Sequence, residues 1–489
     1  MRFSDNYEKI FAPRSVQTIK DAAFDIIERI GMRVPDPAIC RELTANNRFR
    51  LRDGRFTVSK ETADSFLNGI IARVKSGQAQ NTNKNTNENE SVSLNANRYL
   101  DGWINNYPHS YCDPETNKIV AFDTDSLVKM TAFCNRVCRK YSFSPNVPGY
   151  PSDVPPSCQA LSRFVIGSKY LDGGTYPEPM CRYSAKYLFE MCGITGRQMT
   201  SLPVYLSTPL TFGDESFYAA SENKRRLKSV YVCSMPSFGA STPLSVSGGI
   251  ALILAETLLA AVIVDCLTGL ETYIGVSLFP FDFKDLNLVF GAPETLMLQF
   301  ICHSFNNALF GRTGSPGGLE IHTHSIRPDP QAAAEKALLM AAGYMKHNSF
   351  ESVTFRGMGT LGMDEIFSPA QLFIDAELLS YMRRFDAGYE TDPIPDNFID
   401  EIRGGISAGF IPSERTAGKY RDYMYHSDLF TRAKSGTQIS GIHGVQGGLE
   451  ERAAKRARAE LSRPPEMVLE PAAASALDKL LADAVRKAL

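Results

Sequence analysis

Between residues 15 and 30 the apolar positions Ile19, Ala22, Ala23, Ile26, Ile27 and Ile30 fall three and four apart, the spacing of one face of a helix. Gly31 stops the pattern, because glycine adopts the left-handed conformation that closes a helix at little cost. The stretch 62–74 repeats the helical spacing, so residues 1–76 are expected to form an N-terminal helical cap. The tract GQAQNTNKNTNENE that follows offers almost nothing to bury and cannot offset its own ordering entropy. Residues 77–93 are therefore expected to be a mobile surface loop.

Beyond that loop the pattern changes character. Short β-branched or aromatic runs at 204–207, 229–234, 270–279 and 351–355 alternate with longer helical patterns at 250–266, 294–309, 331–347 and 368–384. Repeated strand then helix predicts a parallel sheet covered by helices, either a barrel or a doubly wound sheet. No early GxGxxG turn follows a strand, which favours an α/β TIM (β/α)8 barrel over residues 94–444. The most apolar run, 248–263, is broken by Glu256 and is too short to span a bilayer, so a buried helix is expected there. From residue 445 the chain is rich in Ala, Arg, Lys and Leu with a break at Pro464 and Pro465. Residues 445–489 are expected to add two exterior helices with solvated charged faces.

Composition narrows the class without changing this outline. Hydrophobic residues make up 43% and charged residues 22% of the 489, enough apolar surface for a large core. A net charge of -2 with scattered Lys and Arg provides no field for a polyanion, so nucleic acid is not an expected partner. The ten cysteines are irregularly spaced and the first residues lack the apolar core of a signal peptide, which points to reduced thiols in the cytoplasm. No GxSxG, Walker A, HExxH or CxxC motif is present, so serine hydrolase, P-loop and zincin chemistry have no support.

Barrel enzymes carry their chemistry at the C-terminal ends of strands, and the expected strand ends here are aromatic. Phe238, Phe279 and Phe355 follow successive runs, and ring faces attract a quaternary ammonium that cannot donate hydrogen bonds. The same rings also suit packing between strands and helices. Glu320, His322 and His324 sit in GSPGGLEIHTHS, where a strand would point both histidines to one face. With Arg356 the two histidines could hold a substrate carboxylate; no Cys or carboxylate cluster stands nearby to complete a zinc site, so no metal is expected. Glu256, inside the apolar AETLLAAVIVD, must either find a hydrogen-bonding partner or face the site as the group that balances a cation's charge.

The stretches IGMRVPDP, DPETNKIVAFDTDSL, SLPVYLSTPLTF, MPSFGASTPLSVSGGIALILAETLLA, FGAPETLMLQF, RPDPQAAAEKALLMAAG and GMGTLGMDEIFSPAQLFIDAELLSYMRR, with the closing helices, resemble the trimethylamine methyltransferase family. The resemblance runs over most of the chain from about residue 18 onward. It implies a TIM barrel that moves a methyl group from a methylated amine to the Co(I) of a corrinoid held on a separate small protein, with no cofactor bound permanently to this chain. Only standard residues are present, so the chain is similar to the members without pyrrolysine, which demethylate glycine betaine and related quaternary amines. In that setting Phe238, Phe279 and Phe355 would surround the methylammonium, Glu256 would balance its charge, and Glu320, His322, His324 and Arg356 would bind the rest of the substrate. Two other readings stay open at this point: a metal-dependent TIM-barrel hydrolase using the HxH pair, and a methylated-amine-binding protein without catalysis. Large apolar barrel exteriors also associate, so a homo-oligomer is compatible with the chain.

Overall fold

A computed structural model describes residues 10–77, 100–213, 215–312, 318–346, 352–389, 394–432 and 447–489. The expected loop at 77–93 lies outside the described residues except for Gly77.

The first helix, Pro13–Arg29, buries Val16, Ile19, Ala23, Phe24 and Ile27. Ala22 and Ile30 stay exposed, so the buried stripe is rotated slightly from the one expected. Gly31 has φ +75°, and a Cβ there would stand 2.5 Å from the Phe56 carbonyl oxygen, which is why the turn takes glycine. The cap is not purely helical. After Gly31 the chain enters the Met32–Arg33 strand, which pairs antiparallel with Arg55–Thr57, itself paired with Arg50–Arg52. These strands are two and three residues long, too short for their alternation to show in the sequence.

The centre is built from parallel strands, each followed by a helix. One arc has Ser201–Tyr205 beside Ser229–Cys233 beside Glu271–Ile274, and another has Gly318–Glu320 beside Val353–Arg356 beside Leu100–Trp103. A parallel bridge from Trp103 to Ser144 extends the second arc beyond Leu100–Trp103. The helices that follow these strands include Val246–Thr268, Pro293–Phe310, Pro330–Lys346 and Pro369–Ala387, which coincide with the expected ones to within a few residues. The fold class is therefore mixed α/β, as expected, and no closed barrel ladder is traced among the described residues.

Val246–Thr268 begins where the Ser245 side chain accepts from the Gly248 N–H and ends at Gly269 with φ 71°. At 23 residues it is longer than its apolar run suggested, and by length and composition it could cross a membrane. In this fold 78% of that window is buried, and Pro13–Arg29 packs along it. Two apolar cores result. One joins the N-terminal helices, Val246–Thr268 and the 201–274 strands, and the other joins Leu100, Phe133, Leu319, Phe355 and Phe373. The two C-terminal helices appear at Leu449–Leu461 and Pro471–Ala488; Ala453 and Ala457 enter the second core, Leu477 and Ala484 the first.

Candidate active site

Because side chains alternate across a strand, each central strand sends one set of residues to the helices and the other to the inner face. Leu202, Val204, Val230, Val232, Leu319, Val353 and Phe355 are buried in the cores, while Tyr205, Tyr231, Cys233, Glu320 and Arg356 lie on the opposite set. The strand ends and the loops after them carry the polar groups that converge.

Glu320 closes its strand, and its Oε2 lies 2.8 Å from His322 Nε2. The other ring nitrogen, Nδ1, is 3.8 Å from Asp364 Oδ1 and 3.5 Å from Thr360 Oγ1. Asp364 belongs to a hairpin between Thr360–Leu361 and Ile366–Phe367, and its Oδ2 accepts from Asn105 Nδ2 at 2.9 Å. Burial lifts the Asp364 carboxyl to about 6, although His322 and Asn105 act against the rise. Burial alone would push the proton off His322, but Asp364 and then Glu320 outweigh it and hold the imidazole above its ordinary 6.5. Burial works against ionising Glu320 too, yet the bond to His322 keeps that carboxylate below its ordinary range.

A second acidic group faces the first. Glu178 Oε2 accepts from Asn106 Nδ2 at 2.7 Å and lies 3.4 Å from the buried Arg163, whose guanidinium also stands over the Tyr150 ring at 5.3 Å. Burial, then Glu178 and Asp364, push the Tyr107 phenol well above its ordinary value, and burial, then Glu178 and Tyr107, do the same to Tyr205. Yet Tyr107 is 55% and Tyr205 43% accessible. Both rings are therefore reachable, and both stand close to acidic groups. The cluster thus combines aromatic faces with carboxylates, a chemistry suited to a cation that offers no hydrogen bonds.

The expected residues divide around this cluster. Glu320 and His322 form its core, and Arg356, half-exposed, places Nη1 3.8 Å from Glu320 Oε1. Phe279 reaches His322 through Phe290, with ring centroids 5.7 Å and then 5.3 Å apart. Phe238 is half-buried against the first core, in a short strand that pairs with Phe279–Asp282. His324 sits beside Gly291, its backbone N–H bonded to Glu335 and its Nε2 buried without a hydrogen-bond partner among the described residues.

Two expectations need correcting. Phe355 is fully buried in the second core and cannot touch a ligand in the cavity. Glu256 is also inaccessible; it accepts from Thr208 Oγ1 at 2.7 Å and from the Leu210 N–H at 2.5 Å, bracing the turn that follows the Ser201–Tyr205 strand. Its carboxylate has found a partner instead of facing the site. Asn105, Tyr107, Glu178, Tyr205 and Asp364 were not foreseen: Asn105 and Tyr107 share the loop after Leu100–Trp103, the others come from distant loops and strand ends, and no local motif joins them.

A separate cavity of about 340 Å³ opens at the other ends of the same strands, among Ser201, Ser229, Tyr231, Tyr273 and Arg312, and contains none of the acidic groups above. Among the described residues no three His, Cys, Asp or Glu side chains are arranged to hold a metal ion.

The sequence model of the trimethylamine methyltransferase family matches residues 3–488 of this chain. No curated protein sequence matches it. Two solved structures are similar over 94% of this chain and 94% of their own, at 11% identity and a TM-score of 0.37: the monomethylamine methyltransferase MtmB of Methanosarcina barkeri, and the hydroxylamine complex of MtmB.

Proposed function

The chain belongs to the trimethylamine methyltransferase family, and from that premise we propose that it transfers a methyl group from a quaternary amine to the Co(I) corrinoid of a separate partner protein. The observation that carries this reading is the cluster in which the accessible rings of Tyr107 and Tyr205 lie near Glu178, and Tyr107 also near Asp364 and Glu320. Ring faces hold an ammonium that has no N–H to donate, and the nearby carboxylates balance its charge. We read the alternation of strand and helix, with its two parallel arcs and the 103–144 bridge, as a (β/α)8 barrel whose active end is the C-terminal one.

The quaternary nitrogen already carries the charge that lets a neutral amine depart, and the reduced corrinoid supplies the nucleophile. What this chain contributes is orientation. Tyr107 and Tyr205 fix the ammonium, and the cavity keeps one methyl group in line toward the open mouth. Glycine betaine or a related betaine is the substrate form in which Arg356 takes part. At 3.8 Å from Glu320 its guanidinium is beyond hydrogen-bonding distance, which leaves its donors for a substrate carboxylate. His322 is not offered for that purpose, since Glu320 already occupies its Nε2.

The test is to mix the purified chain with a reduced corrinoid protein from the same genome and a panel of quaternary amines, following the corrinoid absorbance. Methylation with one amine and not with the others names the substrate. No methylation with any of them, despite a competent partner, would remove the catalytic reading.

A further inference from the structure

Methyl transfer from a quaternary ammonium releases a tertiary amine, which is a base set free among the acidic groups of the site. The groups able to meet it are already arranged. His322 faces a carboxylate through each ring nitrogen, Glu320 at 2.8 Å and Asp364 at 3.8 Å. A neutral imidazole has one N–H and can satisfy only one of them; an imidazolium satisfies both. Asp364 Oδ1 is buried with no hydrogen-bond partner among the described residues, although Oδ2 is held by Asn105. The remaining surroundings do not displace this arrangement: Thr360 lies at Nδ1, the Phe290 ring packs at 5.3 Å, Arg356 stands off Glu320, the Tyr107 phenol faces the acids, and Lys336 acts on the ring from below as a more distant cation. The three members differ in access: the Glu320 side chain is 20% accessible, Asp364 11% and His322 4%.

We propose that Glu320, His322 and Asp364 hold one proton in common and release it through Glu320 onto the departing tertiary amine. This role rests on the methyl-transfer reading above. In the step, the C–N bond breaks with its electron pair going to nitrogen while the reduced corrinoid supplies the pair for the new bond to the methyl carbon. The shared proton then moves from the triad to the nitrogen lone pair, and solvent restores it once the amine has left. The amine leaves as a cation and cannot return as a nucleophile. Against the effect of burial, the Asp364 and Glu320 carboxylates raise the His322 imidazole, and burial raises the Asp364 carboxyl to about 6, so the cluster retains a proton that it can still give up.

The experiment compares two methyl donors of the same shape, a betaine and its sulfonium analogue, because the sulfide released from the second has no affinity for a proton. In repeated turnovers with the reduced partner in excess, His322→Asn should lower kcat for the ammonium donor several-fold, with KM and the first methyl transfer little changed, because the proton moves only after the C–N bond has broken. The sulfonium donor should be nearly unaffected. Equal losses on both donors, or no loss on either, would overturn the proposal. Wild-type protein inert toward both donors would sink the methyl-transfer reading itself, and the proposal with it. A second readout needs no corrinoid: the ¹⁵N signals of the histidine absent from His322→Asn are titrated with and without tetramethylammonium. A bound cation should make that ring lose its proton at lower pH, and an unmoved titration would disconnect the triad from the cavity.

Discussion

Lys336 Nζ lies 2.7 Å from Asp375 Oδ2, and neither side chain has any accessible surface. The same ammonium donates to the Gly357 carbonyl at 2.7 Å, and the same carboxylate accepts from the Gly359 N–H at 2.6 Å. Gln371 Nε2 satisfies the other carboxylate oxygen at 2.8 Å. The pair therefore pins both sides of the turn that presents Thr360 and the Asp364 hairpin to His322. Lys336→Met would strand a buried charge, at a cost of about 3–5 kcal/mol. Denaturant melts should show that loss in the single variant and recovery of most of it in Lys336→Met/Asp375→Leu. A single variant as stable as the wild type would mean that solvent reaches the pair.

Asp364 gives the site a pH signature. Its carboxyl is raised by burial from 3.8 to about 6, so the folded state binds this proton more tightly than the unfolded chain does. Stability from this group is fully present below pH 4 and is lost as pH rises through 6. Asp364→Asn escapes that loss. It should be more stable than wild type above pH 6, by on the order of 1–3 kcal/mol, and indistinguishable below pH 4. His322 has the same sign: its raised value adds stability at low pH that fades as the ring deprotonates, and below pH 4 the protonated Asp364 no longer contributes to it. Melting curves at pH 4 and pH 8 separate the two. A variant weaker at both would make Asp364 a structural anchor.

Tyr205 should act through its ring rather than its hydroxyl. Tyr205→Phe keeps the aromatic face and should bind tetramethylammonium nearly as well as wild type in calorimetry. Tyr205→Ala removes the face and should weaken binding by about 0.5–2 kcal/mol, roughly 2- to 30-fold. If Phe and Ala weakened binding equally, the hydroxyl would be the recognising group.

Glu256 makes the opposite case, a carboxylate that serves the scaffold. Replacing it with Ala leaves the Thr208 hydroxyl and the Leu210 N–H without their acceptor, and an unsatisfied buried donor costs about 1–3 kcal/mol. Glu256→Gln retains one oxygen and should cost less. Both should bind tetramethylammonium as the wild type does, once folded; a selective loss of binding would return Glu256 to the site.

Much of the fold was legible because its signals are local and long. The run 248–263 and the patterns at 294–309 and 368–384 each carry enough turns for a buried face to declare itself, and each is a helix. The two- and three-residue strands of the N-terminal region hold less than two full alternations and could not be read. The site was legible only where it is compact in sequence, at Glu320, His322 and Arg356. Their partner Asp364 stands in a hairpin, Glu178 in a proline-flanked loop and Tyr107 beyond another strand, so only folding brings them together. The HxH expectation failed in one respect: the strand ends at Glu320, so the two histidines do not share a face, and His324 turns to Gly291.

One error was avoidable from the alternation of strand side chains. In Val353–Arg356 neighbouring residues point to opposite faces, so Phe355 and Arg356 could not both reach the same ligand. The structure assigns Phe355 to the core and Arg356 to the cavity side, and the two substitutions should separate cleanly. Phe355→Ala should cost about 3–5 kcal/mol of stability. In the fraction that stays folded, affinity for tetramethylammonium should be unchanged. Arg356→Ala should melt within about 0.5 kcal/mol of wild type, as exposed positions do. It should bind tetramethylammonium normally and bind glycine betaine at least 10-fold more weakly, because only the betaine carries a carboxylate for the guanidinium to meet. Calorimetry with both ligands decides the matter. An equal loss on both would place Arg356 at the ammonium rather than the carboxylate, and no loss on either would leave the betaine carboxylate without a partner on this strand.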